Sequence, residues 1–251
     1  MSDQRPGTGW GDHCEGLYLK RRQEEGRPGW TTADQLRTDI DHVDAYLQET
    51  GLPLTGRGLE LGAGAGNIAL HLAALGLNMS GVELSEQAVD WARDNARKAG
   101  IDVTFYRGDV CDPAAAQSAA WGGAYDLILD GHCLHWLVDD DRRRYLSVAR
   151  ALLARTGHFW VRSMCGDPPA AWMAKGGQAR RDGLTLRWDP NRRLVMAGDA
   201  AVSCLLPAER LLAELAAAGF DVVHRRIWPP ADAEDAAELF CLARPVQGPS
   251  A

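Results

Sequence analysis

Two histidines follow a short apolar stretch at a position that suits proton-transfer chemistry. The stretch ends at Asp130, and His132 and His135 come shortly after it. An imidazole has an unperturbed pKa of about 6.5, so it can take up a proton near neutral pH. We predict that at least one of the two is a general base, with His132 facing a substrate and His135 a cofactor. The alternative, that they only hydrogen-bond to backbone or to a bound molecule, stays open here.

A glycine-rich turn lies upstream of the histidines. Residues 59–67 read Leu-Glu-Leu-Gly-Ala-Gly-Ala-Gly-Asn, an apolar strand that ends in three glycines at alternate positions. Such a turn brings backbone N–H groups close to a ligand with no Cβ in the way. The spacing is G-x-G-x-G, whereas dinucleotide-binding proteins use G-x-G-x-x-G. Asn67 occupies the position of their third glycine, which argues against a dinucleotide.

Three more apolar stretches also end on a carboxylate. Glu83 ends the stretch 81–83, Asp109 follows 102–107, and Asp130 ends 125–130. In an open α/β sheet the ligand binds outside the carboxyl ends of the strands, where such residues would meet. A carboxylate offers two acceptor oxygens and so suits a pair of hydroxyl donors. Each one taken alone is equally typical of a helix cap.

With the four motifs in this order, the chain resembles the class I S-adenosylmethionine-dependent methyltransferases. The resemblance covers roughly residues 56–165, and 205–244 by pattern only. It implies S-adenosylmethionine as cofactor and S-adenosylhomocysteine as product. It implies that Glu60 orders the glycine loop and helps to bind the methionine portion, that Glu83 binds the ribose, and that Asp109 binds the adenine amine. The full expected cofactor set is Glu60, Gly62, Ala63, Gly64, Gly66, Asn67, Glu83, Leu84, Asp109, Val110, Asp130, Tyr18 and Trp30.

The segment after the fourth strand bears on the methyl acceptor. It reads Asp-Gly-His-Cys at 130–133, where the resemblance would demand an Asn-Pro-Pro-Tyr-like tetrapeptide for nucleobase amino groups or glutamine. We therefore expect methyl transfer to a small molecule, in natural product biosynthesis, by in-line displacement aided by alignment. A peptide or protein acceptor is the second interpretation. A nicotinamide-dependent oxidoreductase and a non-catalytic cofactor-binding regulator are the rival classes.

The composition of the chain excludes several classes of binding partner. The 251 residues carry a net charge of −7, which disfavours a protein that grips an extended nucleic acid. No run approaches the roughly 18 apolar residues of a membrane span. Six cysteines without C-x-x-C pairs and a start without an apolar leader predict reduced thiols and the cytoplasm. Neighbouring His132 and Cys133 point apart, so we expect no metal site. The oligomeric state stays open.

The alternation of strands and helices predicts a doubly wound, Rossmann-like α/β fold with a mostly parallel seven-stranded sheet. Expected strands cover 58–61, 78–83, 102–107, 125–130, 157–163, 220–228 and 238–243. Expected helices cover 31–49, 67–75, 85–100, 140–153 and 207–218. By resemblance, the last strand runs antiparallel between strands five and six.

Five segments follow from this pattern: an N-terminal helical cap or lid (1–55), the cofactor-binding core (56–165), a substrate-side insertion (166–204), the completion of the core (205–244) and a disordered tail (245–251). The glycine-rich residues 1–29 contain aromatic residues, so they are either a loose tail or a lid over the ligand. The insertion is predicted to form a hairpin from 184–188 and 193–196.

Two features of the substrate side remain open. Residues 175–193 carry a local net charge of +4, which indicates either a solvated hairpin face or an attraction for an anionic substrate or acidic peptide. Four tryptophans fall near the expected pocket and either line an aromatic substrate site or belong to the core: Trp136, Trp160, Trp172 and Trp188.

Overall fold

The computed structural model describes residues 8–117 and 121–247, with side chains from His13 onward. After two helices, α1 (Thr8–Gln23) and α2 (Ala33–Thr50), strands and helices alternate. This part comprises β1 (Arg57–Leu61), α3 (Asn67–Ala74), β2 (Asn78–Glu83), α4 (Glu86–Ala99), β3 (Thr104–Arg107), β4 (Tyr125–Asp130), α5 (Asp140–Leu152) and β5 (Leu153–Cys165). An insertion follows, with α6 (Ala170–Met173), β6 (Gln178–Arg181), β7 (Leu184–Asp189), β8 (Leu194–Ala197) and β9 (Ala200–Cys204). The chain returns to the core as α7 (Ala208–Ala217), β10 (Phe220–Trp228) and β11 (Ala237–Pro245).

The central sheet has seven strands in the order β10-β11-β5-β4-β1-β2-β3. β11 pairs antiparallel with both β5 and β10, and the other pairs are parallel. The predicted Rossmann-like sheet with an antiparallel last strand is confirmed. In register, Leu61 lies opposite Val82 on one side and Asp130 on the other. The carboxyl ends of β1, β2 and β4 therefore form one edge, where the acidic strand ends meet.

Helices cover both faces of the sheet. One buried cluster joins α2, α3 and α4 to the face that carries Trp160 and Phe240, and another joins α5 and α7 to the face that carries Phe159 and Phe220. Full burial of one such side chain stabilises the fold by about 1.5–3 kcal/mol. The helix starts follow the capping residues. Thr32 and Gln35 form a capping box at α2, and the Ser85 hydroxyl accepts from the N–H of Ala88 at the start of α4.

The N-terminal segment contains a helix that its sequence did not predict. Gly9, Gly11 and Gly16 each lower helix propensity by about 1 kcal/mol relative to Ala, so the pattern indicated a polar arm. Tertiary contacts overcome this, because Tyr18 packs in a cluster with Trp91 of α4. The resulting cap is a helix seated on α4.

A second contact fixes α1 to the same helix. The carboxylate of Glu15 accepts hydrogen bonds from the Ser85 hydroxyl at 2.9 Å and from the N–H groups of Glu86 and Gln87 at 2.7 and 3.1 Å. A negative group at a helix N-terminus satisfies free N–H groups and complements the helix dipole. α1 thus caps α4 from outside its own sequence.

The insertion is larger than the expected hairpin. β7 and β8 pair antiparallel as predicted, and the Asp189 carboxylate accepts from the N–H groups of Asn191 and Arg192 in the polar turn. β6 and β9 extend this pair to a four-stranded antiparallel sheet. It has a core of its own, which includes Trp172 and Trp188. The short, polar β6 lacks the apolar alternation by which a strand is recognised.

The predicted boundary between the core and the disordered tail, at residue 245, lies too early in the chain. β11 continues to Pro245, which is buried, and the N–H of Val246 donates to the carbonyl of Gly219 at 2.9 Å. Residues 248–251 lie outside the described residues. Within the part of the chain that the structure describes, no helix has the length and apolar character needed to cross a bilayer.

Candidate functional site

The glycine loop between β1 and α3 has a backbone that glycine alone adopts easily. Gly62, Gly64 and Gly66 have φ angles of +74°, +54° and +79°. L-residues are strained in this left-handed region. A Cβ at Gly64 would lie 3.0 Å from the Tyr18 hydroxyl, and one at Gly66 would lie 2.5 Å from the Phe105 ring. The spacing therefore serves both the turn itself and the close approach of neighbouring groups.

Glu60 stabilises the glycine loop by joining the strand before it to the helix after it. Its side chain is buried, and Oε2 accepts a hydrogen bond from the N–H of Ala69 in α3 at 2.9 Å. Burial raises the pKa of Glu60 to about 8, although the Arg162 charge acts in the opposite direction. Glu60 thus ties β1 to α3, which agrees with the loop-ordering role that the resemblance implies.

Glu83 joins the glycine loop to the next strand end. Oε2 accepts from the N–H of Gly64 at 2.9 Å, and Oε1 accepts from the N–H of Ser85 at 3.0 Å. Burial raises its pKa, while these N–H groups favour the charged form. Each carboxylate oxygen has a second lone pair. The geometry leaves Glu83 able to accept a pair of hydroxyls.

The ends of β2 and β3 form the neighbouring part of the site. Gly108 N–H donates to the Glu83 carbonyl at 2.9 Å, and Asp109 Oδ1 accepts from the N–H of Cys111 at 2.8 Å. Leu84 is 52% exposed, whereas Val110 is buried. An exposed leucine beside a carboxylate suits a flat apolar ring with a polar edge, as adenine has.

Aromatic side chains from distant segments of the chain lie beside the glycine loop. The rings of Tyr18 and Trp30 lie 5.0 Å apart, and those of Trp30 and Trp136 lie 6.3 Å apart. The segment before Trp30 is held to the loop by Asn67, whose Nδ2 donates to the Pro28 carbonyl at 3.3 Å. This hydrogen bond occupies one of the two N–H groups of the Asn67 side chain. Tyr18 and Trp30 therefore reach the loop through the N-terminal segment.

The other expected pocket tryptophans have different places. Trp160 is fully buried and stacks on Tyr46 with ring centroids 5.2 Å apart. Trp188 is buried in the core of the inserted sheet. Trp172 lines a surface cavity beside that sheet. Trp160 and Trp188 thus belong to the core, because β5 is buried on both faces around Trp160 and β7 alternates with Trp188 on its inner face.

His132 forms an ion pair with Glu238 of β11. Burial opposes protonation of His132, but the Glu238 carboxylate outweighs it, so the pKa of His132 lies above its ordinary value. Burial likewise opposes the charge on Glu238, but His132 outweighs it and the pKa of Glu238 lies well below its usual range. Glu238 was missed at the sequence level because it has the pattern of an ordinary residue of the last strand.

His135 has a different environment. Its side chain is buried, and its ring lies perpendicular to that of His132 with centroids 5.6 Å apart. Burial and the neighbouring His132 charge keep the pKa of His135 well below its ordinary value. Its backbone carbonyl accepts from the Ser203 hydroxyl of β9 at 2.7 Å. His135 is therefore a neutral side chain at the junction of the core and the insertion.

Asp130 organises the loop that carries both histidines. It is fully buried, and Oδ1 accepts from the N–H groups of Cys133 and Leu134 and from the Tyr145 hydroxyl at 2.7 Å. A Cβ at Gly131 would lie 2.5 Å from the carbonyl oxygen of residue 62, so the two loops touch. Asp130 Oδ1 is thus an internal anchor of this loop, while Oδ2 has no hydrogen-bond partner among the described residues, and the cofactor contact expected for Asp130 stays a prediction.

The structure gathers the other expected cofactor residues along one edge of the sheet. Their fit to S-adenosylmethionine rests on the glycine loop, the paired oxygens of Glu83 and the exposed Leu84. Among the described residues, no group of three or more His, Cys, Asp or Glu side chains is arranged to hold a metal ion. Four further residues around the site carry no recognisable signal in the sequence: Glu15, Arg21, Arg162 and Glu238.

Comparison with protein families identifies the central part of the chain. Residues 59–157 match the family model for a methyltransferase domain. A curated relative, the 23S rRNA (uracil(1939)-C(5))-methyltransferase RlmD of Alkalilimnicola ehrlichii, is 36% identical over 105 residues. The match covers 41% of this chain and 24% of the relative. The chain thus spans about a quarter of that relative's length.

Solved structures resemble the whole chain more evenly. The 1,6-didemethyltoxoflavin-N1-methyltransferase of Burkholderia thailandensis, solved with 1,6-didemethyltoxoflavin and S-adenosylhomocysteine, has a TM-score of 0.66 and 22% identity. That match covers 98% of this chain and 93% of the other. Magnesium protoporphyrin IX methyltransferase of Synechocystis PCC 6803, solved with S-adenosylhomocysteine, has a TM-score of 0.66 and 18% identity, covering 96% and 100%. At these identities the likeness shows a shared fold.

Proposed function

We propose that this chain, whose residues 59–157 match the family model for a methyltransferase domain, transfers a methyl group from S-adenosylmethionine to a small-molecule acceptor. The observation that carries the proposal is the glycine loop whose Gly64 N–H is held by Glu83 at 2.9 Å. This arrangement differs from the dinucleotide fingerprint in its spacing. S-adenosylmethionine, when bound, supplies a methyl group already activated by a sulfonium.

The residues along the strand ends would divide the cofactor between them. Glu83 would accept from the ribose hydroxyls, and Asp109 with the N–H of Val110 would meet the adenine edge while Leu84 covers its face. The backbone at Gly62, Ala63, Gly64 and Gly66 would pass close to the methionine portion. Glu60 and Asp130 would act by holding the two loops in place, and Tyr18 and Trp30 would exclude water from above.

His132 is the group best placed to take a proton from the acceptor. Glu238 pairs with Nε2 of His132, which leaves Nδ1 as the nitrogen with a free lone pair once the ring is neutral. In this proposal an O–H or N–H of the acceptor loses its proton to Nδ1 as the methyl group is transferred. Glu238 then stabilises the imidazolium. His135, with its low pKa, would stay neutral beside it and shape the pocket.

A small acceptor is supported by the way the site is covered. Tyr18 of the N-terminal segment lies against the glycine loop, and Arg21 of the same helix pairs with Asp182 of the insertion, which leaves less room for a folded protein or a nucleic acid. The net charge of −7 points the same way. We include in this proposal that the acceptor is a natural product. We also include a cytoplasmic location, which the unpaired cysteines favour. A peptide acceptor is the second possibility.

Calorimetry with purified protein tests the cofactor. We expect micromolar binding of S-adenosylmethionine and S-adenosylhomocysteine and no binding of NADH. Tight NADH binding without an S-adenosylmethionine signal would replace the proposal with the oxidoreductase interpretation. A radiolabelled methyl-donor assay against metabolite extracts, with peptide fractions in parallel, then identifies the acceptor. Cofactor binding with no labelled product in either fraction would favour a non-catalytic regulator.

A further inference from the structure

We propose that Arg162 of β5 is a receptor for a carboxylate of the acceptor substrate. This deepens the function proposed above and rests on it, because it names the substrate class of the same site. The proposal places the anionic end of the substrate on a guanidinium edge that the protein leaves unpaired. It follows from the burial of Arg162 and its unpaired edge, from a cavity on the same face of α2 as its neighbour Asp39, and from the charges that line that cavity.

The first observation is an unpaired edge on a buried charge. Arg162 is only 2% exposed, yet Nε and Nη2 have no hydrogen-bond partner among the described residues. These two nitrogens form one edge of the guanidinium, the edge that binds a carboxylate through two parallel hydrogen bonds. A buried charged donor without a partner is more costly to the fold than a neutral donor without one. A ligand at this edge would recover that cost.

None of the described acids makes a hydrogen bond to this edge, although the Arg162 charge acts on Glu60 and Glu238. Asp39 of α2 approaches Nη2 to 3.6 Å, an ion pair without a hydrogen bond. The Phe240 ring lies 5.0 Å from the guanidinium carbon and covers its face. Asp39 and Phe240 thus hold the charge and orientation of Arg162 while its edge stays available.

The second observation is a cavity near the Asp39 face of α2. It has a volume of about 690 Å³ and opens between the inserted sheet, α2 and the connection of β10 to β11, with Gln35 and Trp172 in its wall. This volume lies in the range of small-molecule sites. Gln35 and Asp39 are four residues apart, so they share one face of α2. The acid that approaches Arg162 therefore lies on the same face of α2 as a residue of the cavity wall.

The mouth of the cavity has the matching charge. Lys175, Arg180 and Arg181 line it on the insertion side, with Glu234 and Asp235 across from them. Cationic groups at an opening raise the local concentration of an anion and speed its association. The sequence suggested that the basic insertion attracts an anionic substrate. The proposal adds Arg162 as the residue that binds this anion.

The position of Arg162 also relates to the proposed base. The Arg162 charge acts on His132, whose pKa it lowers against the effect of Glu238. A carboxylate bound to Arg162 would partly neutralise that charge and make His132 a stronger base. Binding of the anionic end would thereby prepare the site for deprotonation of the acceptor atom.

The test measures carboxylate binding directly. Protein labelled with ¹⁵N-arginine is titrated with sodium benzoate, and with benzamide as the neutral analogue, in the presence and absence of S-adenosylhomocysteine. We expect benzoate to shift one Nε–H resonance that is missing from Arg162→Lys, and benzamide to leave it in place. Arg162→Lys should weaken benzoate binding at least 10-fold, because lysine keeps the charge but lacks the edge. The exposed control Arg187→Lys should bind as wild type does.

The same samples distinguish this role of Arg162 from a purely structural one and from a cofactor contact. Unchanged benzoate binding by Arg162→Lys, or equal shifts with benzamide, would overturn the proposal. If Arg162 instead holds the cofactor's carboxylate, Arg162→Lys would weaken S-adenosylhomocysteine as much as removing that carboxylate from the ligand does, which also overturns it. If Arg162→Lys fails to fold, Asp39→Asn gives a second measurement, since loss of the nearby negative charge should strengthen benzoate binding. Failure of the wild type to bind S-adenosylhomocysteine would count against the proposed function alone.

Discussion

The guanidinium of Arg21 in α1 donates a hydrogen bond of 2.9 Å to the carboxylate of Asp182 in the turn between β6 and β7. Arg21 also lies over the Trp30 ring, 3.7 Å from its centroid, and is itself buried. This pair connects the N-terminal helix to the inserted sheet. The N-terminal segment, for which the sequence suggested a lid, is therefore in contact with the substrate-side insertion.

We expect Asp182→Asn to loosen this cover. Loss of the ion pair should weaken S-adenosylhomocysteine binding by about 1.4 kcal/mol, a factor of about ten, as measured by calorimetry. Asp199→Asn, at the exposed turn between β8 and β9, is the matched control. In the wild type, proteolysis before residue 30 or within 175–193 should slow when ligand is present, and in Asp182→Asn this protection should be reduced. Equal cutting rates with and without ligand would argue against a lid.

Removing the Glu83 carboxylate should weaken the cofactor specifically. Glu83→Ala removes the acceptor for the Gly64 N–H and for the ribose hydroxyls, so we expect a loss of roughly 1.5–3 kcal/mol in S-adenosylhomocysteine binding. Glu86→Ala, whose side chain pairs at the surface with Arg107, should leave the affinity unchanged. Identical dissociation constants for Glu83→Ala and the wild type would exclude Glu83 from the site.

Replacing His132 should affect turnover and its pH dependence. If His132 is the base, His132→Ala should reduce turnover about 10²–10⁴-fold with little change in cofactor affinity. The rate of the wild type should fall as pH drops through a pKa above 6.5, because the imidazolium cannot accept a proton. Glu238→Gln removes the group that raises this pKa, so its pH–rate profile should shift to lower pH.

Two controls accompany this series. His158 lies on β5 away from the site, where it contacts Arg244. The variant His158→Ala should therefore keep full turnover. His135→Ala tests the second histidine, which we expect to matter through packing and to leave the pH profile in place. Full activity in the double His132→Ala, His135→Ala variant would show that alignment alone drives the reaction.

Glu60 should make the protein less stable at alkaline pH. Its pKa is about 8 in the folded protein, against an ordinary value of 4.5. Between these pH values the unfolded chain has released the proton and the native protein still holds it, so the free energy of unfolding falls as pH rises. The difference between wild type and Glu60→Gln should change by up to about 1.4 kcal/mol per pH unit in this window. Urea denaturation at several pH values, without ligand, measures it.

The sign of this difference is the critical result. Glu60→Gln should gain on the wild type as pH rises from about 5 towards about 8, whereas Glu86→Gln should follow the wild type throughout. A difference that stays flat over the window would mean that Glu60 is ionised in the folded protein, with Arg162 as its effective partner.

The sequence predicted those elements that have clear local signals. β2, β4 and β10 have the predicted bounds, since each is a nearly continuous or alternating apolar run between a turn and a cap. α1 was missed because its glycines weaken the local pattern and its stability comes from contacts with α4. Arg162 and Glu238 could not be assigned, because their meeting with His132 depends on the sheet order that places β11 beside β5.

The place of β11 has a consequence for the order in which the protein becomes active during its synthesis. β11 follows both β5 and β10 in the chain, yet it lies between them and pairs with both. The glycine loop, by contrast, follows β1, which pairs with β2 and β4, and all three strands precede β5 in the chain. The strands around the glycine loop are therefore synthesised well before β11, and His132 can pair with Glu238 only after β11 has been made and inserted.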